Sequence, residues 1–277
     1  MNWMMLLSGL CLTGIIAAAP AIGEPEWKMV WHDEFDKDGP PDPANWDFEH
    51  GFVRNQELQW YQPENAFCKD GMLVIEARRE SKPNPTYDPN SKYWGARRPT
   101  IEYTSACLIT KHKQEFTFGR IEMRARIDTR SGSWPAFWTL GSNISEVGWP
   151  KCGEIDIMEY YRTNVLANVC EGEDGNQHWL TTRKPLDQLG GEAWSKNFHV
   201  WTMEWDDRKI DLLLDGELRA HYSIGMHDSF RKPLYILLNQ AIGGQNGGDP
   251  SKTEFPVRME VDWIRVYQRS SAQAIMR

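Results

Sequence analysis

The run Gly153-Glu154-Ile155-Asp156-Ile157-Met158-Glu159-Tyr160 places three carboxylates within six residues. Alternation of acids with isoleucine reads as a strand, and the plain reading of such a strand is an edge with a solvated acidic face. The neighbours point to chemistry instead. Trp134, Trp138 and Trp149 lie just upstream, in Ser133-Trp134-Pro135-Ala136-Phe137-Trp138 and Gly148-Trp149-Pro150, so flat apolar rings are expected beside the acids. Sugar rings present CH-rich faces that stack on indole, while carboxyl groups act on the glycosidic oxygen. Retaining glycoside hydrolysis needs two carboxyl groups about 5–5.5 Å apart, in different protonation states. Glu154 is expected to attack the anomeric carbon, and Glu159 to protonate the leaving oxygen and later activate water. Asp156 is expected to hydrogen-bond Glu154 and hold its orientation. The charge of Glu154, with partial desolvation, is expected to keep Glu159 protonated until the covalent intermediate neutralises its neighbour.

These roles require all three acids on one face, and a regular strand does not allow it. Residues 154, 156 and 158 would share a face, sending Glu159 inward with Ile155 and Ile157 at a cost of roughly several kcal/mol. One extra residue at Ile157-Met158, a β-bulge, restores Glu159 to the side of Glu154 and Asp156. The elements that must carry this strand are also β. Ile121, Met123, Ala125 and Ile127 alternate with Arg120, Glu122, Arg124, Arg126 and Asp128, the period of a half-buried strand. Residues 200–206 and 209–214 are strand-like, and Asp215-Gly216 is a tight turn leading to Leu218, Ala220 and Tyr222. Further strands are expected over 72–77, 105–110, 154–160, 234–242 and 257–268, with Trp201, Trp205 and Trp263 in the core. No stretch of 11 or more residues after the first 23 has a helical apolar repeat. The expectation is an all-β fold, a jelly-roll β-sandwich of two antiparallel sheets with a concave substrate cleft. The Pro-rich stretch between residues 79 and 103 is expected to be a long loop, functional or mobile.

With 277 residues, one domain is the default. Acidic residues outnumber basic ones 39 to 31, a net charge of −8 with no basic patch, which argues against nucleic acid and anionic membranes and favours a neutral partner. The first 23 residues carry no charged side chain and end in small residues, which reads as a signal peptide over 1–23 and a secreted or periplasmic protein. The apolar run is short for a span, so no stable membrane insertion is expected. Residues 24–270 are expected to form the catalytic domain, with 271–277 a frayed terminus, and the protein to be a monomer. Cys68, Cys107, Cys152 and Cys170 allow three full pairings, which stay open; one disulfide at most is expected, with the cysteines otherwise small buried residues. No zinc-type spacing occurs.

At this point the sequence resembles glycoside hydrolase family 16, whose laminarinase-like members carry a Glu-Ile-Asp-Ile-Met-Glu signature. The resemblance spans residues 31–268. It includes Trp31-His32-Asp33-Glu34-Phe35, Asn55-Gln56-Glu57-Leu58-Gln59, Tyr103-Thr104-Ser105-Ala106, Leu238-Asn239 with Gly243-Gly244, and Val261-Asp262-Trp263-Ile264-Arg265-Val266-Tyr267. It implies a β-jelly-roll acting by retention on β-glucans or related galactans, with Glu154 as nucleophile, Asp156 as assisting acid and Glu159 as acid/base. It places Asn55, Trp134, Trp138, Trp149 and Asn239 along the sugar subsites. It implies no cofactor for catalysis, and a structural calcium held by Glu34, Gly71 and Asp262, oxygen ligands that suit that ion; their plain reading is surface acids. Two departures bear on the substrate. Cys107 stands where many relatives have an arginine, and Val165-Leu166-Ala167-Asn168-Val169-Cys170 replaces a His-containing strand. The leading reading is an endo-β-glycanase acting on a β-1,3-containing glucan, laminarin or mixed-linkage; the alternatives are a red-algal galactan by the same mechanism, or a non-catalytic glycan-binding jelly roll.

Overall fold

The computed structural model describes residues 26–173, 175–225 and 228–270. The signal peptide and the frayed tail expected at the two ends lie outside them. The strands in chain order are β1 (Trp27–Asp33), β2 (Asp47–Phe48), β3 (Gln59–Tyr61), β4 (Ala66–Lys69), β5 (Met72–Pro83), β6 (Thr100–Ser105), β7 (Cys107–Ile109), β8 (Glu115–Phe116) and β9 (Gly119–Ile127). They continue as β10 (Ser133–Gly141), β11 (Glu154–Tyr161), β12 (Asn164–Glu173), β13 (Asn176–Pro185), β14 (His199–Trp205), β15 (Lys209–Leu214), β16 (Glu217–Ser223), β17 (Leu234–Ile242) and β18 (Val257–Arg269). Helices among the described residues are single turns, such as Ile144–Val147. None is long and apolar enough to cross a membrane.

Two sheets result. One runs β16-β15-β14-β9-β18-β5-β6-β3, with β1 added on β18 and β4 on β5; the other runs β13-β12-β11-β10-β17-β7-β2, with β8 on β17. Ile121, Met123, Ala125 and Ile127 of β9 point inward as their alternation predicts, meeting Ile155, Ile157 and Met158 of β11 and Leu234, Ile236 and Leu238 of β17 in one core. Each of the Ile, Leu and Met side chains contributes about 1.5–3 kcal/mol when fully buried. The hairpin at Asp215-Gly216 is present, both residues having positive φ as a tight two-residue turn requires.

The structure departs from expectation in four places. Residues 105–110 are not one strand: the chain crosses between sheets at Ala106, Ser105 closing β6 in one sheet and Cys107 opening β7 in the other. The pairing of β3 with β6 is parallel, possible because β4 and β5 supply the long crossover such a pair needs. Trp201 and Trp205 are in the core, but Trp263 is half-buried on the outer face. A register shift between Val261 and Trp263 turns Asp262 and Trp263 outward together, and the Arg265 guanidinium covers the ring at 4.2 Å. The Pro-rich loop shrinks to 84–99 and is pinned from within. The buried Asn84 amide donates to the carbonyls of Gly95 and Arg98 at 3.0 and 2.7 Å. Arg98 reaches back to the carbonyls of Glu57 and Gln56, bracing the segment around Asn55. The four cysteines are buried free thiols.

Candidate active site

The bulge expected on β11 is present. Against β10, Met158 faces Phe137 and Asp156 faces Trp138; against β12, Glu159 faces Leu166 and Asp156 faces Asn168. Both ladders carry one extra β11 residue at Ile157-Met158, and both of those side chains go to the core with Ile155. Glu154, Asp156 and Glu159 therefore share the outer face, Asp156 buried and the glutamates half-buried. Gly153 immediately precedes this strand at φ +79°, where an added Cβ would lie 2.8 Å from the Phe230 ring. Only glycine fits there without displacing that core ring.

A continuous set of side-chain hydrogen bonds ties the acids together. The Trp149 indole N–H donates to Glu154 Oε2 at 2.5 Å, and Glu154 and Asp156 hydrogen-bond each other. Asn168 Nδ2 donates to Asp156 Oδ2 at 2.9 Å and to Glu159 Oε2 at 2.8 Å. The Trp134 indole N–H closes the row on Glu159 Oε1 at 2.7 Å. Burial raises all three carboxyls. Asp156 is pushed up to about 6 against the pull of its hydrogen bonds. Glu159 is pushed up to about 8, by burial first and the Asp156 charge second. Glu154 lies well above the carboxylate range through burial and then the charge of Asp156. The charge expected of Glu154 as the force on Glu159 is thus supplied by Asp156, which sits between the two. The protons belong to the trio as a unit, and the group can hold one acid ionised beside another protonated.

The expected sugar-binding residues fall into two kinds. Trp149 is exposed and lies 6.4 Å from the ring of Trp179, beside Glu154. Trp134 packs edge-on against Tyr161 at 5.7 Å beside Glu159. Aromatic pairs thus flank both ends of the carboxylate row. Trp134, Trp138 and Asn239 are all buried, and Asn239 spends its amide on protein, accepting from the Trp138 indole at 2.8 Å and donating to the Tyr61 hydroxyl at 3.1 Å. Asn55 is exposed at φ +54° and donates to Glu57 at 3.3 Å. Its backbone is hemmed in by Gly244, whose added Cβ would come 2.8 Å from the Asn55 carbonyl. Sequence reasoning missed Asn168, Glu57, Tyr61 and Trp179. Glu57 is a buried carboxyl held by Gln59 and Tyr61. At the missing arginine, Cys107 is buried opposite Asn239. A guanidinium returns from elsewhere: Arg54, paired with Glu49, lies 5.0 Å over the Trp138 ring.

Strand register gathers Glu34, Gly71 and Asp262 around the irregularity in β18, since Asp33 faces Ile264 and Leu73 faces Val261. Their carboxylates are already neutralised. Glu34 accepts two hydrogen bonds from Arg265 at 2.9 Å, which hold it below its ordinary range. Asp262 is paired with Arg124. Among the described residues no cluster of three or more His, Cys, Asp or Glu is set to hold a metal. As they stand, both carboxylates are committed to arginine.

Residues 54–265 match the profile of the glycosyl hydrolases of family 16. The chain is 35% identical to a β-glucanase of Rhodothermus marinus, over 95% of this chain and 93% of that protein. The catalytic domain of an endo-1,3-β-glucanase (laminarinase) from Thermotoga petrophila has a TM-score of 0.74 and 37% identity, covering 89% of this chain and 100% of that one. A structure from work on endo-acting O-glycanases, with which prominent members of the human gut microbiota initiate mucin breakdown, has a TM-score of 0.79 and 32% identity, covering 92% and 94%.

Proposed function

The chain belongs to the glycosyl hydrolases of family 16, and from that premise we propose that it is an endo-β-glycanase cleaving a β-1,3-containing glucan by double displacement. The observation that carries the chemistry is the unbroken hydrogen-bonded row from Trp149 through Glu154, Asp156, Asn168 and Glu159 to Trp134. In the first step Glu159 gives its proton to the glycosidic oxygen while Glu154 bonds to the anomeric carbon. The Glu154 proton passes to Asp156 across their shared hydrogen bond as the bond to carbon forms, so Glu154 attacks as the carboxylate and is neutral in the glycosyl ester. Glu159, now ionised, takes a proton from water, and that water displaces Glu154 with a second inversion, so configuration is retained. Asp156 orients Glu154 through their shared hydrogen bond, and the chemistry calls on no cofactor. The exposed Trp149 indole at one end offers an apolar face to a sugar ring beside the scissile bond, while the buried Trp134 at the other end holds Glu159 through its N–H.

The β-glucanase and laminarinase likenesses support a glucan. A galactose-containing glycan is the second reading, favoured by Cys107 where the resemblance expects an arginine, by the strand 165–170 that lacks the histidine it expects, and by the O-glycanase likeness. A pure binder has no need of the ionisable trio. Incubation with laminarin, mixed-linkage glucan, a red-algal galactan and mucin glycans, reading new reducing ends, separates these readings. Release is expected from laminarin first; release from a galactan or mucin alone moves the substrate, and binding without release overturns the enzyme reading. We also propose that residues 1–23 direct export and that residues 24–270 act as a single, monomeric catalytic domain, supported by the uncharged apolar leader. A calcium at Glu34, Gly71 and Asp262 would have to displace the guanidinium partners Arg265 and Arg124.

A further inference from the structure

Asn168 stands directly opposite Asp156 in the β11/β12 ladder, and one amide nitrogen serves two carboxyls, Asp156 at 2.9 Å and Glu159 at 2.8 Å. A planar amide points its two protons about 120° apart, so straight bonds of these lengths set the accepting oxygens roughly 5 Å from each other. That exceeds any direct carboxyl–carboxyl hydrogen bond. The Asn168 carbonyl oxygen is buried without a hydrogen-bond donor, so the two carboxyls alone orient this side chain. An amide does not titrate, and the separation persists at every pH.

We propose that Asn168 is a positioning residue that keeps Asp156 and Glu159 from sharing a proton, reserving Asp156 for Glu154 and the Glu159 proton for the leaving oxygen. Neighbouring carboxyls allowed to touch behave as one acid with a single trapped proton. Such a proton is turned toward Asp156 and away from the substrate. The amide also donates to both groups and so favours their ionised forms, in line with the lowering it exerts on each. The proposal rests on Glu159 being the acid/base, and its test reads protons apart from turnover.

Asn168→Leu removes both donors, and Asn168→Asp keeps the shape while replacing the donor with an acid. In substrate-free protein carrying ¹³C-labelled carboxyls, the titration that Glu159→Gln abolishes is expected to move to higher pH in Asn168→Leu and further in Asn168→Asp. On polysaccharide, Asn168→Leu is expected to lose roughly 10–100-fold in kcat with KM within about threefold, the usual scale for a partner that orients a reacting group. The first-step rate on an aryl glycoside with a very good leaving group should stay near that of the wild type. A Glu159 titration unmoved in both folded variants overturns the proposal, as does an equal loss on both substrates; Asn168→Asp alone suffices if the leucine variant does not fold. If the wild type turns over neither substrate, the functional reading fails while the titration still decides whether the proton is shared.

Discussion

In the proposed mechanism each glutamate of the pair acts in a protonation state that the other must not adopt, and the variants that separate their roles follow from this. Glu154→Ala and Glu159→Ala are expected to lose at least about 10²–10⁴-fold in turnover, the range for removing a reacting acid or base, with circular dichroism unchanged. On a substrate with a very good leaving group, Glu159→Ala should keep its first step, and added azide should restore turnover as a β-glycosyl azide. An α-glycosyl azide would show that the roles, or retention itself, are misassigned. The same raised carboxyls bear on stability, with a definite sign. Glu159 moves from an ordinary 4.5 to about 8 on folding, so between those values the native state binds more protons than the unfolded chain. Stability is then lost as pH rises through that window. Glu159→Gln, which cannot ionise, is expected to raise Tm relative to the wild type by more at pH 9 than at pH 5. A Tm difference independent of pH would mean that Glu159 is not held protonated by the fold. The activity profile of kcat/KM should be bell-shaped, with a basic limb near 8 from the coupled acids.

Among the elements, β11 is the one whose sequence posed a conflict, and the conflict made it legible. Glu159 could be reactive only if the strand carried an extra residue, and both flanking ladders contain it. Deleting Met158 should leave Glu154, Asp156 and Glu159 on a shared face with some activity, whereas deleting Ile155 shifts Glu154 out of register and should abolish it. Equal loss in two folded deletion variants would count against the bulge as the device that assembles the site. The alternation of β9 was equally readable because one face is core and the other water. β10 was not read as a strand, for the opposite reason: it is buried along its whole length, so no alternation shows, and Pro135 argues against a central strand. Its ladder with β11 starts only at Ala136, which leaves the proline beyond that end. The sheet crossing at Ala106 escaped notice because both sides of a crossing residue are covered. Asn168 could have been found by pairing β12 against the signature strand, but register between strands is written in the turn and the core, and not in either strand by itself.

For the molecule as a whole, the outer face of the ten-stranded sheet is laced by arginine–carboxylate pairs: Arg258 with Glu76, Arg126 with Glu260, Arg124 with Asp262 and Arg265 with Glu34. These are partly exposed, and each contributes about 0–1 kcal/mol. Because arginines already neutralise Glu34 and Asp262, chelation with EDTA is expected to leave Tm within about 1 °C, while 1 M salt lowers it by no more than a few degrees. A drop of about 5 °C or more on chelation, reversed by calcium, would show the ion displacing the arginines. The sheet these pairs decorate has an unusual dependence on its final strand. β18 alone joins β9 on one side to β5 and β1 on the other, so before it is made the ten-stranded sheet exists only as unconnected parts. Closure waits on contacts spanning nearly the whole chain, such as Trp27 with Arg269, and such long-range pairings form slowly. A nascent chain of this topology therefore cannot complete its ten-stranded sheet until its synthesis is almost finished, although the eight-stranded sheet needs nothing beyond β17.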